Sequence, residues 1–451
     1  MKYTDVFENY PIPKAVGTLA LPTMLGMLVT VVYNLADTFF VGQLNDPNQV
    51  AAVLITMPVF MLLMAFGSIL GIGGGTSISR SLGAGDKARV RKLSSISLYS
   101  CIGLGLLFSL TVLLLMSGVL AAAGASLYTY EYAKNYLTII AIGAVPIILN
   151  FALGQLIRAK GAAQYSMRGM MIGTMLNIVL DPIFILFLGM GVAGAALATV
   201  LANSIAVIYY LRFLFIDEQL SVRISDFHPE KNLISDILKV GIPASLGSVL
   251  MSASQMVMNN FAGAYGDSVI AALGIVIRST MLPILLTIGL TQGIQPLIGY
   301  TYGSGNVKRM RGVIAFTMVS GTILCLLFLA IFYCTAPWII RVFIDDREII
   351  DLGTGFIRVM ILSFPVLAIQ MTIMNAFQAL GKGIPALVLS ISRQGLVFLP
   401  SLILLDRFYG LSGLVYAQPV ADIATTLLAV ILYRKTTKHV GLSESPDLIK
   451  A

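Results

Sequence analysis

Val16–Ala36, Pro47–Ser79, Leu93–Tyr130, Pro182–Leu211, Val240–Gly266 and Gly312–Ile340 contain no Asp, Glu, Lys or Arg. Each matches or exceeds the roughly 20 apolar residues that carry a helix across a bilayer core. In lipid every backbone N–H and C=O needs an internal partner, and a long apolar run finds one as a helix. Charged residues make up 11% of the 451, against roughly 25% in a soluble domain. That is too few to clothe a water-facing surface, so the expected fold is an all-α polytopic membrane protein. Apolar windows and breakers place twelve spans near residues 15–41, 50–79, 93–118, 135–157, 167–188, 191–215, 237–263, 268–302, 312–337, 353–380, 385–405 and 411–433.

Charge orients these spans. With the N-terminus inside, only Lys134, Arg341, Arg347, Arg358 and Arg407 fall outside, and Arg278 and Arg393 fall within spans. The remaining Lys and Arg are cytoplasmic, so the positive-inside bias puts both termini in the cytoplasm of a multi-pass inner-membrane protein. The net charge of +8 is therefore a topology signal, and no nucleic-acid partner is expected. The polar start MKYTDVFENY leads into a span too long for a signal-peptide core, so no cleaved leader is expected. Cys101, Cys325 and Cys334 are odd in number and lack metal spacing, which leaves packing as their role. His228 and His439 lie in polar segments as solvated bystanders, and Trp338 fits the interfacial aromatic belt.

The chain repeats itself. Pro22 and Gly26 in LALPTMLG recur as Pro243 and Gly247 in VGIPASLG, and Gly83, Gly85, Arg89 and Arg91 recur as Gly303, Gly305, Arg309 and Arg311. Pro146 matches Pro365, and Gly191 matches Gly410. Register held over such a distance is a duplication. It divides the chain into an N-terminal six-helix lobe (1–216), a cytoplasmic linker (217–236) and a C-terminal six-helix lobe with a short tail (237–451). An even number of spans per half makes the lobes parallel, related by a pseudo-two-fold axis along the membrane normal. Such a two-lobed bundle suits alternating access, which neither an enzyme nor a channel requires.

A charge in the bilayer core costs at least about 2.5–3.5 kcal/mol, so intramembrane carboxylates are functional candidates. Asp37 lies about 6 Å in from the outer end of span one, and Asp181 about 9 Å in on span five. Asn177 shares the helix face of Asp181, and Thr199 lies about 12 Å deep on span six. Two carboxylates, an amide and a hydroxyl offer hard oxygen ligands to a monovalent cation, or a shared proton. Alternatively, Asp181 caps a broken helix before Pro182 and Asp37 bonds nearby backbone. The second half carries no equivalent. Arg393, about 12 Å deep, and Asp422, about 16 Å deep, are near the midplane and can pair, with Arg278 also intramembrane. Pro22 frees a carbonyl and bends span one, as a hinge or a static kink. Tyr33, Asn34 and Asn150 are candidates for a substrate path or for packing.

Two resemblances fail. GIGGGTSISRSLGAGD follows an apolar helix rather than a strand and lacks GKS or GKT, so no nucleotide site is expected; small-residue helix packing explains its glycines. The major-facilitator loop motif wants Gly three residues after the Asp, and Arg89 stands there after Asp86.

A third holds. ALPTMLGMLVTVVYNLADTFFVGQL, GGGTSISRSLGAGDKA, MLNIVLDPIFI and GVAGAALATVLAN together resemble the multidrug and toxic compound extrusion (MATE) family over essentially the full length, nearest its MepA/DinF-like bacterial branch. The resemblance implies a V-shaped, two-lobed secondary antiporter without a cofactor. Such a protein exports amphipathic, often cationic organic compounds in exchange for H⁺ or Na⁺, with no metal beyond Na⁺ and no obligate protein partner besides surrounding membrane lipids. The family's first-lobe cation site maps onto Asp37, Asn177, Asp181 and Thr199, and its first-helix bend onto Pro22. Where another branch has second-lobe carboxylates, this chain has Gln255 and Asn259, so no second-lobe cation site is expected. A lipid or lipid-linked saccharide flippase of the same superfamily is the alternative function; such proteins usually have more spans.

Overall fold

Apolar segments closed off by Gly, Pro and Asx turns set the helix limits. The structure, a computed structural model, describes residues 4–440 apart from Asn45 and Glu218; the side chains of Asn34, Asp37, Thr38, Val41 and residues 437–440 lie outside that description. Expectations resting on the side chains of Asn34, Asp37 and His439, and on the tail beyond Val440, therefore fall outside the described residues.

The long helices are α1 (Ile12–Gly42), α2 (Pro47–Gly83), α3 (Lys87–Leu114), and α4 in two pieces (Tyr130–Ile142 and Ala144–Ala159). Then come α5 (Ala163–Phe187), α6 (Gly191–Ile216), α7 (Lys231–Gly263) and α8 (Asp267–Gly303). The last are α9 (Val307–Phe343), α10 (Arg347–Ala379), α11 (Gly383–Tyr409) and α12 (Leu411–Val440). Among the described residues eleven helices are long and apolar enough to cross a membrane, or twelve when the two pieces of α4, bent by 55°, are counted as one span. The bend falls at Gly143, where Val200 of α6 leaves no room for a Cβ. No strand occurs among the described residues. The chain is a multi-pass helical membrane protein.

The duplication is visible in backbone geometry. Gly85 and Gly305 have φ of 75° and 73°, Gly161 and Gly381 96° and 75°, and Gly191 and Gly410 58° and 60°. Each pair closes the same turn in its half, in a conformation that L side chains resist. After the first pair, the Asp86 carboxylate accepts from the Arg89 N–H at 2.9 Å and the Asn306 side chain from the Arg309 N–H at 3.0 Å. Both are N-caps for the following helix.

Two compact units form, and neither is one half of the sequence. Leu25–Ser245 build the first; Asp5–Met24 and the chain from Leu246 onward build the second. Helices α1 and α7 are each shared, changing unit two residues after Pro22 and Pro243 respectively. In the first unit, Gly73 of α2 and Gly241 of α7 lie against each other's helix backbone, at Ile237 and Ile69. In the second, a Cβ on Gly289 or Gly293 of α8 would come within 2.7 Å of the Met24 or Ala20 Cα of α1. Small residues spaced by four let backbones approach where lipid offers no hydrophobic drive.

The segments before the shared helices are strapped down. In the first unit, α3 holds residues 221–236: Tyr99 and Ser95 donate to the Val222 and Arg223 carbonyls at 2.9 and 3.0 Å, and Lys92 pairs with Glu230 at 2.6 Å. Arg89 pairs with Asp236, and Lys160 with Asp217. In the second, Phe7 stacks on Tyr300 at 4.8 Å, Tyr300 donates to Glu8, and Arg309 donates to the Tyr10 carbonyl at 2.6 Å. Cys101 and Cys325 are buried in packing, as expected, but Cys334 is exposed on α9.

Candidate functional site

Helix α5 ends its α-helical part at Pro182 and continues as a π-helical turn, Ile183–Phe187. Asp181 and Asn177, one turn apart, face α6, and Thr199 faces back. Asp181 is 0% exposed, Asn177 4% and Thr199 8%. The Asn177 amide is oriented by these neighbours: its nitrogen donates to both Asp181 oxygens at 3.1 and 2.7 Å, and its oxygen accepts from the Thr199 hydroxyl and N–H, each at 3.2 Å. The carboxylate is thereby given donors from within the unit. Asp37 lies on α1, with its side chain outside the described residues.

The sequence reading missed a continuation. Asn150 of α4 donates to Asn203 Oδ1 at 2.6 Å, and Asn203 donates to the Thr199 carbonyl at 2.7 Å. Asn203 sits four residues after Thr199 and so on the same helix face, which was the available signal. One polar chain thus runs Asn150–Asn203–Thr199–Asn177–Asp181 within the first unit. Tyr33 is half-buried on α1, and Pro22 is buried inside the same helix.

In the second unit, Arg393 Nε donates to Asp422 Oδ1 at 2.8 Å. Gln418 donates to the same oxygen at 3.0 Å and Ser363 to Oδ2 at 2.9 Å. Ser363 and Gln418 are further residues that sequence reasoning did not single out. Arg393 stands in the π-helical turn Ser392–Leu396. Arg278 is exposed on α8 and joins this group through no bond among the described residues. Gln255 donates to Asn259 at 3.3 Å on an exposed face of α7.

The MatE family model matches residues 22–183 and again 243–403. Multidrug export protein MepA of Staphylococcus aureus (strain MRSA252) is 36% identical over 428 residues, covering 94% of each chain. The Staphylococcus haemolyticus (strain JCSC1435) protein of the same name is 35% identical over 427 residues, again 94% of each. An outward-facing multidrug resistance MATE family transporter superimposes with a TM-score of 0.93 at 28% identity, covering 98% of this chain and 99% of that one. By sequence, by internal repeat and by fold, this chain belongs to the MatE family, whose members are membrane transporters rather than enzymes.

Proposed function

We propose that the chain is a secondary multidrug efflux antiporter. It exports amphipathic, often cationic organic compounds from the cytoplasm in exchange for H⁺ or Na⁺. It sits in the cytoplasmic membrane with both termini inside, its lobes 1–216 and 237–451 joined by the 217–236 linker. The observation that carries this reading is the fully buried Asp181, bonded through Asn177 to Thr199. With a proton or Na⁺ at Asp181, Asn177 and Thr199, joined by Asp37 from α1, the carboxylate charge is neutralised; without it, the Asn177 N–H groups satisfy the carboxylate. Pro22, two residues before α1 passes from one unit to the other, is the hinge that would respond. Tyr33, Asn34 and Asn150 line the substrate path in this reading.

Coupling follows from electrostatics, since one charge crossing 100 mV is worth about 2.3 kcal/mol. The test is dye uptake into inverted vesicles under an imposed Na⁺ gradient or pH gradient. One of the two drives uptake by the wild type, and Asp37→Asn or Asp181→Asn abolishes it while the protein remains folded. Full gradient-driven uptake by Asp181→Asn overturns the assignment.

A further inference from the structure

The pair Arg393–Asp422 lies in mid-membrane, about 15 Å along α11 from Gly383, where an ionic group is retained only with a partner or a task. Its geometry is lopsided. The carboxylate is saturated: its side chain is 3% exposed, and Arg393, Gln418 and Ser363 donate to its two oxygens. The guanidinium is not. It meets Asp422 end-on through Nε, whereas a purely structural pair gains most from the bidentate fork. Its two Nη groups carry four further N–H donors, none with a partner among the described residues. Nor do they belong to the buried unsatisfied atoms found there, and the Arg393 side chain is 16% exposed. The Nη edge therefore reaches an opening. Lipid is a costly place for it, so the opening is one that water or a solute enters.

The backbone is built to hold that edge. Arg393 sits in the π-turn Ser392–Leu396, which re-aims a side chain relative to a regular helix. The turn is pinned from α7 by Ser254, which donates to the Gln394 carbonyl. On α12, Gln418 and Asp422 occupy the positions that Thr199 and Asn203 hold on α6, 219 residues earlier. In the first unit these positions belong to the neutral hydrogen-bonded chain that ends at Asp181. In the second they anchor a cation.

We infer that the Nη edge of Arg393 is a substrate-contacting anion site, which takes the carboxylate of a zwitterionic compound. The planar fork matches a carboxylate bidentately, and Asp422 fixes its orientation from behind. This rests on the reading of the chain as an exporter and names a residue that selects among its substrates.

The test compares a zwitterionic xanthene dye bearing a free benzoate with its monocationic methyl ester. Both are followed by equilibrium binding to the purified full-length protein and by initial uptake into energised inverted vesicles. The wild type should bind the zwitterion about tenfold more tightly than the ester, the scale of one charged hydrogen-bonded contact. The double variant Arg393→Gln/Asp422→Asn, which removes both charges together and so leaves no orphaned ion, should bring that ratio to about one. Asp422→Asn alone should raise it, because the guanidinium loses its internal counter-ion. A ratio of one in the wild type, an unchanged ratio in the double variant, or a fall with Asp422→Asn overturns the inference. If neither dye is transported but the binding ratio behaves as stated, the exporter reading fails and the anion site stands.

Discussion

At the scale of single residues, polar side chains inside membrane helices carry two kinds of message. Thr23 and Thr372 return their hydroxyls to their own helix, at Leu19 and Ala368. This is the common local solution and means nothing beyond it. Asn177 and Thr199, and likewise Asn150 and Asn203, instead bond to one another across helices. Sequence alone separates the two kinds poorly, which is why Asp181 and Asp422 stood out while Asn203, Ser363 and Gln418 did not. Asn177→Ala should leave a buried carboxylate short of its donors, a loss of about 1–3 kcal/mol, and should cut gradient-driven dye uptake at least tenfold. Thr199→Val keeps the side-chain shape and removes one oxygen. It should weaken the apparent affinity for the coupling cation without changing the amount of folded protein.

At the scale of elements, glycine turns set the helix starts. Gly191 opens α6 at φ 58°, where a Cβ would collide with the Gln49 side chain, whose oxygen accepts from the Val192 N–H at 3.1 Å. Gly191→Ala loses that cap as well as the free conformation; Gly410→Ala carries the backbone penalty, about 1–2 kcal/mol. Thermal melts of the two variants should rank Gly191→Ala lower. The strap along α3 adds a pH term. Its hydrogen bond from Lys92 holds the Glu230 carboxyl below the usual carboxylate range. A lowered value contributes stability above the unfolded pKa and loses it as pH falls through the folded one. The melting difference between wild type and Glu230→Gln, small for so exposed a pair, should therefore shrink on acidification. Span number and limits were legible because apolar length is a strong signal; the break in α4 was not, because Gly143 reads as one more small residue until Val200 is seen against it.

At the scale of the molecule, the repeat and the orientation came from patterns spread along the whole chain, the repeat being mirrored in three pairs of positive-φ glycines. The orientation is testable in cells expressing a variant whose exposed Cys334 is replaced by Ser. Leu127→Cys, in the loop before α4, should react with an impermeant maleimide from outside; Ser225→Cys, in the linker, should react only after the membrane is opened. The sharing of α1 and α7 was not legible, since it depends on contacts between residues more than 160 positions apart.

That sharing bears on how the protein is made. Ala20 and Met24 lean on Gly293 and Gly289, so the N-terminal half of the first helix emerges from the ribosome long before its partner exists. At about 5–20 residues per second, it waits on the order of ten seconds to a minute in the bilayer with that face unmatched. A polypeptide cut within the linker should therefore yield two fragments that are each incomplete alone and become protease-resistant only when co-synthesised.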